Sequence, residues 1–380
     1  MTMLPCVLPF LASYSFSISS TQPPGIPGLF DDDATLRSLL AQADSCLALG
    51  SPMYHSLFTE LANDYRDGGR TFALLAGRSA RPIHDALPLR LAGAIHRLVL
   101  MGREPRLARH YPSMGGKPGE DFGADVIGYM REHLDEIELG LASQVQTNEV
   151  GRSVVHLMLS HWITTLNVEE FDFLEVGASA GLNLNFDKFY ACYGQLRMGD
   201  PASQLRFMGD WFATAPEVPR TAARVVHKRG TDISPIDINN MEDEMRLLSF
   251  IWPDQKARLQ RTRTAIDIAK LHKPIIDQES ADTWIERQLA RRESRATVVF
   301  HSIVWQYMGT SVQQRFRDAL ESASSTSTRN APLIWARMEP AGPVADIQVT
   351  VWNGDSEPRE YVLAEIGYHG QQMKWLSDLS

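Results

Sequence analysis

The sequence predicts an α/β protein: an all-helical N-terminal region, then a largely parallel, doubly wound sheet of about seven strands that closes in an antiparallel hairpin. Three observations predict it. Apolar residues recur every three to four positions from Asp31 to about Leu166. Beyond Phe171, short β-rich runs alternate with helical patterns, which demands crossover connections and hence parallel neighbours. The last two runs are joined only by the turn-rich NGDSEPR, the mark of a hairpin.

The elements follow in order. Helices are expected over Asp31–Leu49, Met53–Asp67 and Ile83–Met101, the last with Leu89, Ala92, His96 and Leu100 at helical spacing. Tyr111–Gly123, rich in Gly and Pro, reads as loop, and helices resume over Asp125–Leu141 and Val150–Leu166, the second with Thr147 as its cap. FDFLEV opens the sheet, followed by ARVVHK, ATVVFHSIVW and PLIWARM; helical patterns at Leu182–Tyr193, Met241–Leu271, Ser280–Arg291 and Ser311–Glu321 separate them. WPDQ, Trp252–Gln255, marks a break between two helices. IQVTVW and EYVLAEIGYH form the closing hairpin, and Ser322–Asn330 is a surface loop. The domain organisation is a leader over 1–30, a helical region over 31–166 and the sheet domain over 167–380.

Composition narrows the function classes. A chain of 380 residues with 44% hydrophobic and 22% charged residues is an ordinary globular protein. A net charge of -9 gives no general attraction to phosphate backbones, so a small molecule is the expected partner and nucleic acid is not. Cys6, Cys46 and Cys192 form no CxxC pair; neither a disulfide framework nor a metal site is expected, and a reducing, cytoplasmic setting is. The first thirty residues are a disordered leader or an over-extended start, with a degenerate signal sequence as the alternative. No run approaches the ~20 apolar residues of a membrane span.

The chemistry turns on VGASAG, Val176–Gly181. Gly177, Ser179 and Gly181 have the Gly-x-Ser-x-Gly spacing of a nucleophile elbow, and His369 lies downstream as a base for Ser179. An elbow, however, follows earlier strands and borrows an oxyanion amide from one of their loops, and here no strand precedes Phe171. The alternative is a cofactor cradle in which Gly177 permits an unusual dihedral, Gly181 lets the next segment start close to the strand, and Ser179 leaves room for a ligand. Leu182 stands where a dinucleotide loop wants its third glycine. Glu175, at the end of the strand, needs a positive or donor group, which a ligand ammonium supplies.

LEVGASAG resembles motif I of class I S-adenosylmethionine-dependent methyltransferases. That family has a Rossmann-like parallel sheet ending in a reversed strand, which agrees with the hairpin. More narrowly, LPLRLAGAIHRLVL, TNEVGRS, LEVGASAGLNL, RGTDISPID, WPDQ, FHSIVWQYM and GYHG together resemble one mostly bacterial domain-of-unknown-function family with a methyltransferase-like core, over roughly residues 35–380. The resemblance implies an S-adenosylmethionine-binding protein, a methyltransferase acting on a small-molecule acceptor. It sets the cofactor against Glu175, Gly177, Ala178, Ser179, Gly181, Asn183 and Asp232. A serine hydrolase using Ser179, and a non-catalytic binding or regulatory protein, stand as alternatives.

In such sheets the second strand ends in an acid that accepts both ribose hydroxyls. Asp232 is the candidate and Asp237 the fallback, although the span from Gly181 makes Gly194–Trp211 an insertion, for which a hairpin is one expectation. Ser280 or Asp282 is in place to meet the adenine, or Ser280 simply caps a helix. FHSIVWQYM carries polar residues where a central strand should end: His301 is the candidate base, with Gln306 and Tyr307 to orient an acceptor. Asn148, Glu149 and Arg152 of TNEVGRS are candidates for substrate binding, Arg152 for a carboxylate, or Glu149 and Arg152 are a surface ion pair. Arg90 and His96 are polar intrusions that could face the same cavity.

Overall fold

The computed structural model describes residues 33–376; the expected leader and Cys6 lie outside the described residues. The chain forms two compact units, one of the described residues up to Thr147 with Asn240–Gln260, the other of Asn148–Asn239 with the chain from Arg261.

The first unit is built of helices Ala34–Ala48, Pro52–Arg66, Arg70–Leu75, Leu87–Leu100, Pro105–Ala108, Phe122–Glu132, Leu134–Leu141 and Met241–Ser249. Asp33 caps the first by accepting the amides of Thr35 and Leu36, and Ser51 with Pro52 starts the second. Their apolar stripes meet in a core that includes Leu57, Phe58, Leu61, Ile95, Val99 and Val126. The helix expected over Asp125–Leu141 is two. His133 sits between them off helical geometry, its ring stacked on Tyr129 at 4.3 Å. WPDQ does break the helix, and Asp254 then accepts the Ser51 hydroxyl at 2.7 Å and the Met53 amide at 3.1 Å. Arg90 and His96 find hydrogen-bond partners inside this unit. Arg90 donates to the Leu141 carbonyl, and the His96 nitrogens meet the Ser249 carbonyl at 3.0 Å and the Ser113 hydroxyl at 2.8 Å. Both serve the helical core, which corrects the expectation that they face a ligand.

In the second unit the strands are β1 (Glu170–Val176), β2 (Tyr190–Tyr193), β3 (Leu196–Gly199), β4 (Arg206–Met208), β5 (Arg224–Asp232), β6 (Ile276–Gln278), β7 (Ala296–Ser302), β8 (Leu333–Ala341), β9 (Val344–Trp352), β10 (Arg359–Ile366) and β11 (Lys374–Trp375). The main sheet has eight strands in the order β6-β5-β1-β7-β8-β9-β10-β11. From β6 to β8 every pairing is parallel; from β8 to β11 every pairing is antiparallel. The closing hairpin is thus part of a longer meander, because Gly342, at φ +77, and Pro343 turn β8 directly into β9. β1 is buried between β5 and β7, as its apolar sequence requires.

Register decides the faces. Glu175 pairs with Phe300 and Val176 with His301, so Glu175 and His301 project to opposite sides of the sheet. Helix Ser153–Trp162 covers the Glu175 side, where His156 lies 4.3 Å from the Phe300 ring and 5.0 Å from Phe173. Helices Ala281–Leu289 and Thr310–Ser324 cover the other, burying Trp284, Ile285, Phe316 and Leu320 against Leu174, Val176 and Val299.

Two local expectations are corrected and one is made more specific. Leu182–Tyr193 is a 3-10 segment, Leu182–Lys188, followed by β2, because the aromatic run FYACY favours an extended chain. The Gly194–Trp211 insertion completes a small sheet, β3-β2-β4, in which β2 and β3 form a hairpin. Thr147 caps nothing; Glu149 accepts the Gly151 amide instead.

Asp277 ties the β5–β6 edge together. Arg229 donates to both its oxygens at 2.6 and 2.7 Å, and Trp284 Nε1 and Arg287 join them. These donors, Arg229 foremost, hold its carboxyl well below the usual range. A carboxyl depressed in the folded state stabilises above its unfolded pKa of about 3.9, and that stability is lost as pH falls toward the folded value. Asp277→Asn is therefore expected to be less stable than wild type at pH 7, the gap narrowing below about pH 4; urea midpoints at both pH values check this.

Candidate functional site at the carboxyl edge of the sheet

From β1 the chain runs first to β5 and β6 on one side, then to β7 and β8 on the other. The loops after β1 and β7 therefore diverge, and it is at such a switch point that open α/β sheets bind ligands. Gly177–Gly181 is the loop after β1. Its bend uses positive φ at Gly177 (+73), Ser179 (+54) and Gly181 (+67). The amides of Gly177 and Ala178 both donate to the Thr231 carbonyl at 2.9 Å, and the Ser179 amide to Asp232 Oδ2 at 2.9 Å. The other Asp232 oxygen accepts the Ser234 amide at 2.9 Å. Burial raises the Asp232 carboxyl above its ordinary range despite these donors. The two glycines admit the chain itself: a Cβ at Gly177 would come within 2.8 Å of Val304, and one at Gly181 within 2.7 Å of Ile276.

Six buried polar atoms around β1 and this loop have no hydrogen-bond partner among the described residues: Glu175 Oε2, Ser179 Oγ, Asn183 Oδ1, Asn185 Nδ2 and both ring nitrogens of His156. Glu175 Oε1 lies 3.6 Å from His156 Nε2, the nearest opposing group. Buried polar groups are ordinarily satisfied, so orphans gathered at the end of β1, in its loop and in the 3-10 segment that follows are a binding signal. Beside the loop is a cavity of about 310 Å³ lined by residues including Ala180, Ile236, Asp237, Ile238, Lys273 and Pro274.

The TNEVGRS candidates come together here as a clasp across three loops. Asn148 Oδ1 accepts the Leu182 amide at 2.9 Å, and the Glu149 carbonyl accepts Asn183 Nδ2 at 3.2 Å, which holds the end of the β1 loop. Arg152 donates to the carbonyl of Ser302, the last residue of β7, at 3.3 Å and to the Tyr368 carbonyl after β10 at 3.0 Å. Glu149 Oε2 meets His369 Nδ1 at 3.1 Å. Glu149 and Arg152 are thus buried groups with loop partners, not a surface pair.

His301 is not brought to the Glu175 face of the sheet. His301 is buried on the opposite face, its Nδ1 2.6 Å from Glu339 Oε1 and its ring stacked on Trp305 at 5.3 Å. The same Glu339 oxygen accepts the amides of Val304 and Trp305, holding a bend in which the β-branched Ile303 has φ +51. Gln306 is exposed and Tyr307 half-buried in the turn that follows. Glu339 escaped sequence reasoning because its partner lies 38 residues away. Asp282 is drawn to Arg315 at 2.6 Å, and Ser280 stands at the cap position of helix Ala281–Leu289 with its hydroxyl on Asp282.

Ser179 shares a positive φ with an elbow serine, but its buried hydroxyl meets no imidazole, and His369 is engaged with Glu149. Two acid-and-histidine groups in the helical unit, Glu104–Glu132–His133 and His110–Asp121–Asp125, are each crossed by an arginine, Arg106 and Arg109. No helix among the described residues is long and apolar enough to cross a membrane.

A family model described as an uncharacterized protein conserved in bacteria (DUF2332) matches residues 37–375, and the chain belongs to this family. No curated protein matches it.

Proposed function

We propose that this bacterial family member binds S-adenosylmethionine at the β1 loop and transfers its methyl group to a small-molecule acceptor. The observation that carries the reading is the set of orphaned buried atoms on LEVGASAGLN, at the switch point of the sheet. The donor set suits the cofactor: Glu175 Oε2 for an ammonium, Ser179 Oγ and Asn183 Oδ1 for further polar groups, and Asp232 for the ribose. Asp232 accepts the amides of Ser179 and Ser234 at the end of β5, a position that suits a ribose. The neighbouring cavity, with Ile236, Ile238 and Pro274, suits a flat base, and Asp237 stands at it.

A Rossmann-like, methyltransferase-type sheet is supported by the parallel β6-β5-β1-β7-β8 set followed by the reversed β9. The chain departs from that pattern in its short 3-10 segment after the loop and in the β9–β11 meander. Cys46 and Cys192 are free thiols, which supports a cytoplasmic setting. When bound, the cofactor supplies an electrophilic methyl group. The chain's part is to hold it by Glu175 and the loop, exclude water, and align an acceptor for displacement.

Calorimetry with S-adenosylhomocysteine tests this: wild type should give binding heat, and Glu175→Ala should bind at least about tenfold more weakly, or about 1.4 kcal/mol. No heat with wild type defeats the reading. The positive φ of Ser179 favours a hydrolase as the second reading, which requires fluorophosphonate labelling of wild type that disappears in Ser179→Ala. Tight binding without turnover across an acceptor panel would instead mark a non-catalytic binding protein.

A further inference from the structure

His369 and Glu149, 220 positions apart, form an acid–imidazole pair at the same sheet edge. The Glu149 side chain is 1% exposed and the His369 side chain 43%. Glu149 Oε1 accepts the Gly151 amide at 3.1 Å, and Oε2 faces Nδ1 of His369. With Glu149 ionised the carboxylate only accepts, and the hydrogen of His369 then sits on Nδ1. In the neutral ring the basic lone pair is then on Nε2. A buried acid fixing the tautomer of a more exposed imidazole is the arrangement that prepares a histidine to take a proton.

The placement is built into the backbone. Gly151 and Gly370 meet face to face: a Cβ on Gly151 would land on the His369 carbonyl oxygen, and one on Gly370, at φ +83, on the Gly151 carbonyl. Arg152 Nε holds the Tyr368 carbonyl on the other side of His369. The same clasp holds Leu182 and Asn183 at the end of the β1 loop, so the imidazole is tied to the loop assigned to the cofactor. His301, which also pairs with a carboxylate, is fully buried on the opposite face.

We propose that His369 is the general base of the reaction, with Glu149 as its positioning residue, and that the acceptor is a neutral protic nucleophile such as a hydroxyl compound. The inference rests on the methyl-transfer reading. As the acceptor oxygen bonds to the methyl carbon and the carbon–sulfur bond breaks, its electron pair going to sulfur, the acceptor's proton passes to Nε2 and then to solvent. The balance is one proton released, with no oxidant or reductant.

Three measurements on the full chain test it. Long-range nitrogen–proton spectra of wild type, assigned with His369→Gln, should show His369 as the Nδ1–H tautomer; an Nε2–H tautomer overturns the proposal without any variant at Glu149. Diethyl pyrocarbonate labelling at pH 8, mapped by peptide mass, should modify His369 at least about fivefold faster than the exposed His272, and Glu149→Gln should remove most of that advantage. Equal rates, or no effect of Glu149→Gln, overturn it. His369→Gln should keep its affinity for S-adenosylhomocysteine within about threefold, since the base serves the acceptor; loss of binding would make His369 a cofactor ligand instead. Absence of heat with wild type would defeat the methyl-transfer reading, while the tautomer and labelling results still judge the dyad.

Discussion

Gly370→Ala is expected to detach the loop after β10 from the TNEVGRS clasp, at a cost of about 2–4 kcal/mol, from overpacking together with a left-handed backbone. The new Cβ would be driven into the Gly151 carbonyl, a backbone atom that no rotamer change can move aside. Gly151→Ala should do the same from the other strand of the contact, against the His369 carbonyl and the Trp211 ring. Hydrogen exchange should show the change locally, with faster exchange over residues 148–153 and 367–373 and little change in β5 or β6. Native-like protection of both segments in Gly370→Ala would mean that the close approach is not needed to hold them.

Trp284→Ala should have the largest effect on the sheet unit. Trp284 is fully buried, packed with Ile285, Phe316 and Leu320 beneath β1 and β7, and its Nε1 donates to Asp277 at 2.6 Å. Emptying such a site costs about 3–5 kcal/mol, and the lost hydrogen bond to a charged acceptor is part of the loss. Exchange protection of the β1 and β7 amides is expected to fall by about a hundredfold to several thousandfold, at about 1.4 kcal/mol per factor of ten. Trp284→Phe, which keeps most of the volume, should recover most of that protection. Full recovery would show that the bond to Asp277 adds nothing. A local readout suits a chain of two units, where a single unfolding midpoint is poorly defined.

Much of this was legible in the residues. The apolar periodicity from Asp31, the β-rich FDFLEV and the glycine-bearing turn behind it identify helices, a first strand and a sharp bend, because each depends on near neighbours in the chain. Glu175 stood out because an acid ends an apolar run, and it is indeed buried with one oxygen unsatisfied. TNEVGRS read as a polar stretch with a task, and the described residues give it one, though as a clasp between loops. The pattern puts FYACY at the end of a helix; pairing with Leu196–Gly199 makes it a strand instead.

What the amino-acid order determined by itself is the kind of the long periodic elements, the position of the bend after β1 and the placing of Asp232 at the end of β5. Which side chains meet was decided only by tertiary structure. His301 faces away from Glu175 because β1 and β7 pair Val176 with His301, and a shift of one residue would have reversed both faces. His369 reaches Glu149 because two glycines 219 residues apart let their backbones touch. Both results follow from register and close approach across the chain, and local preference carries no information about either.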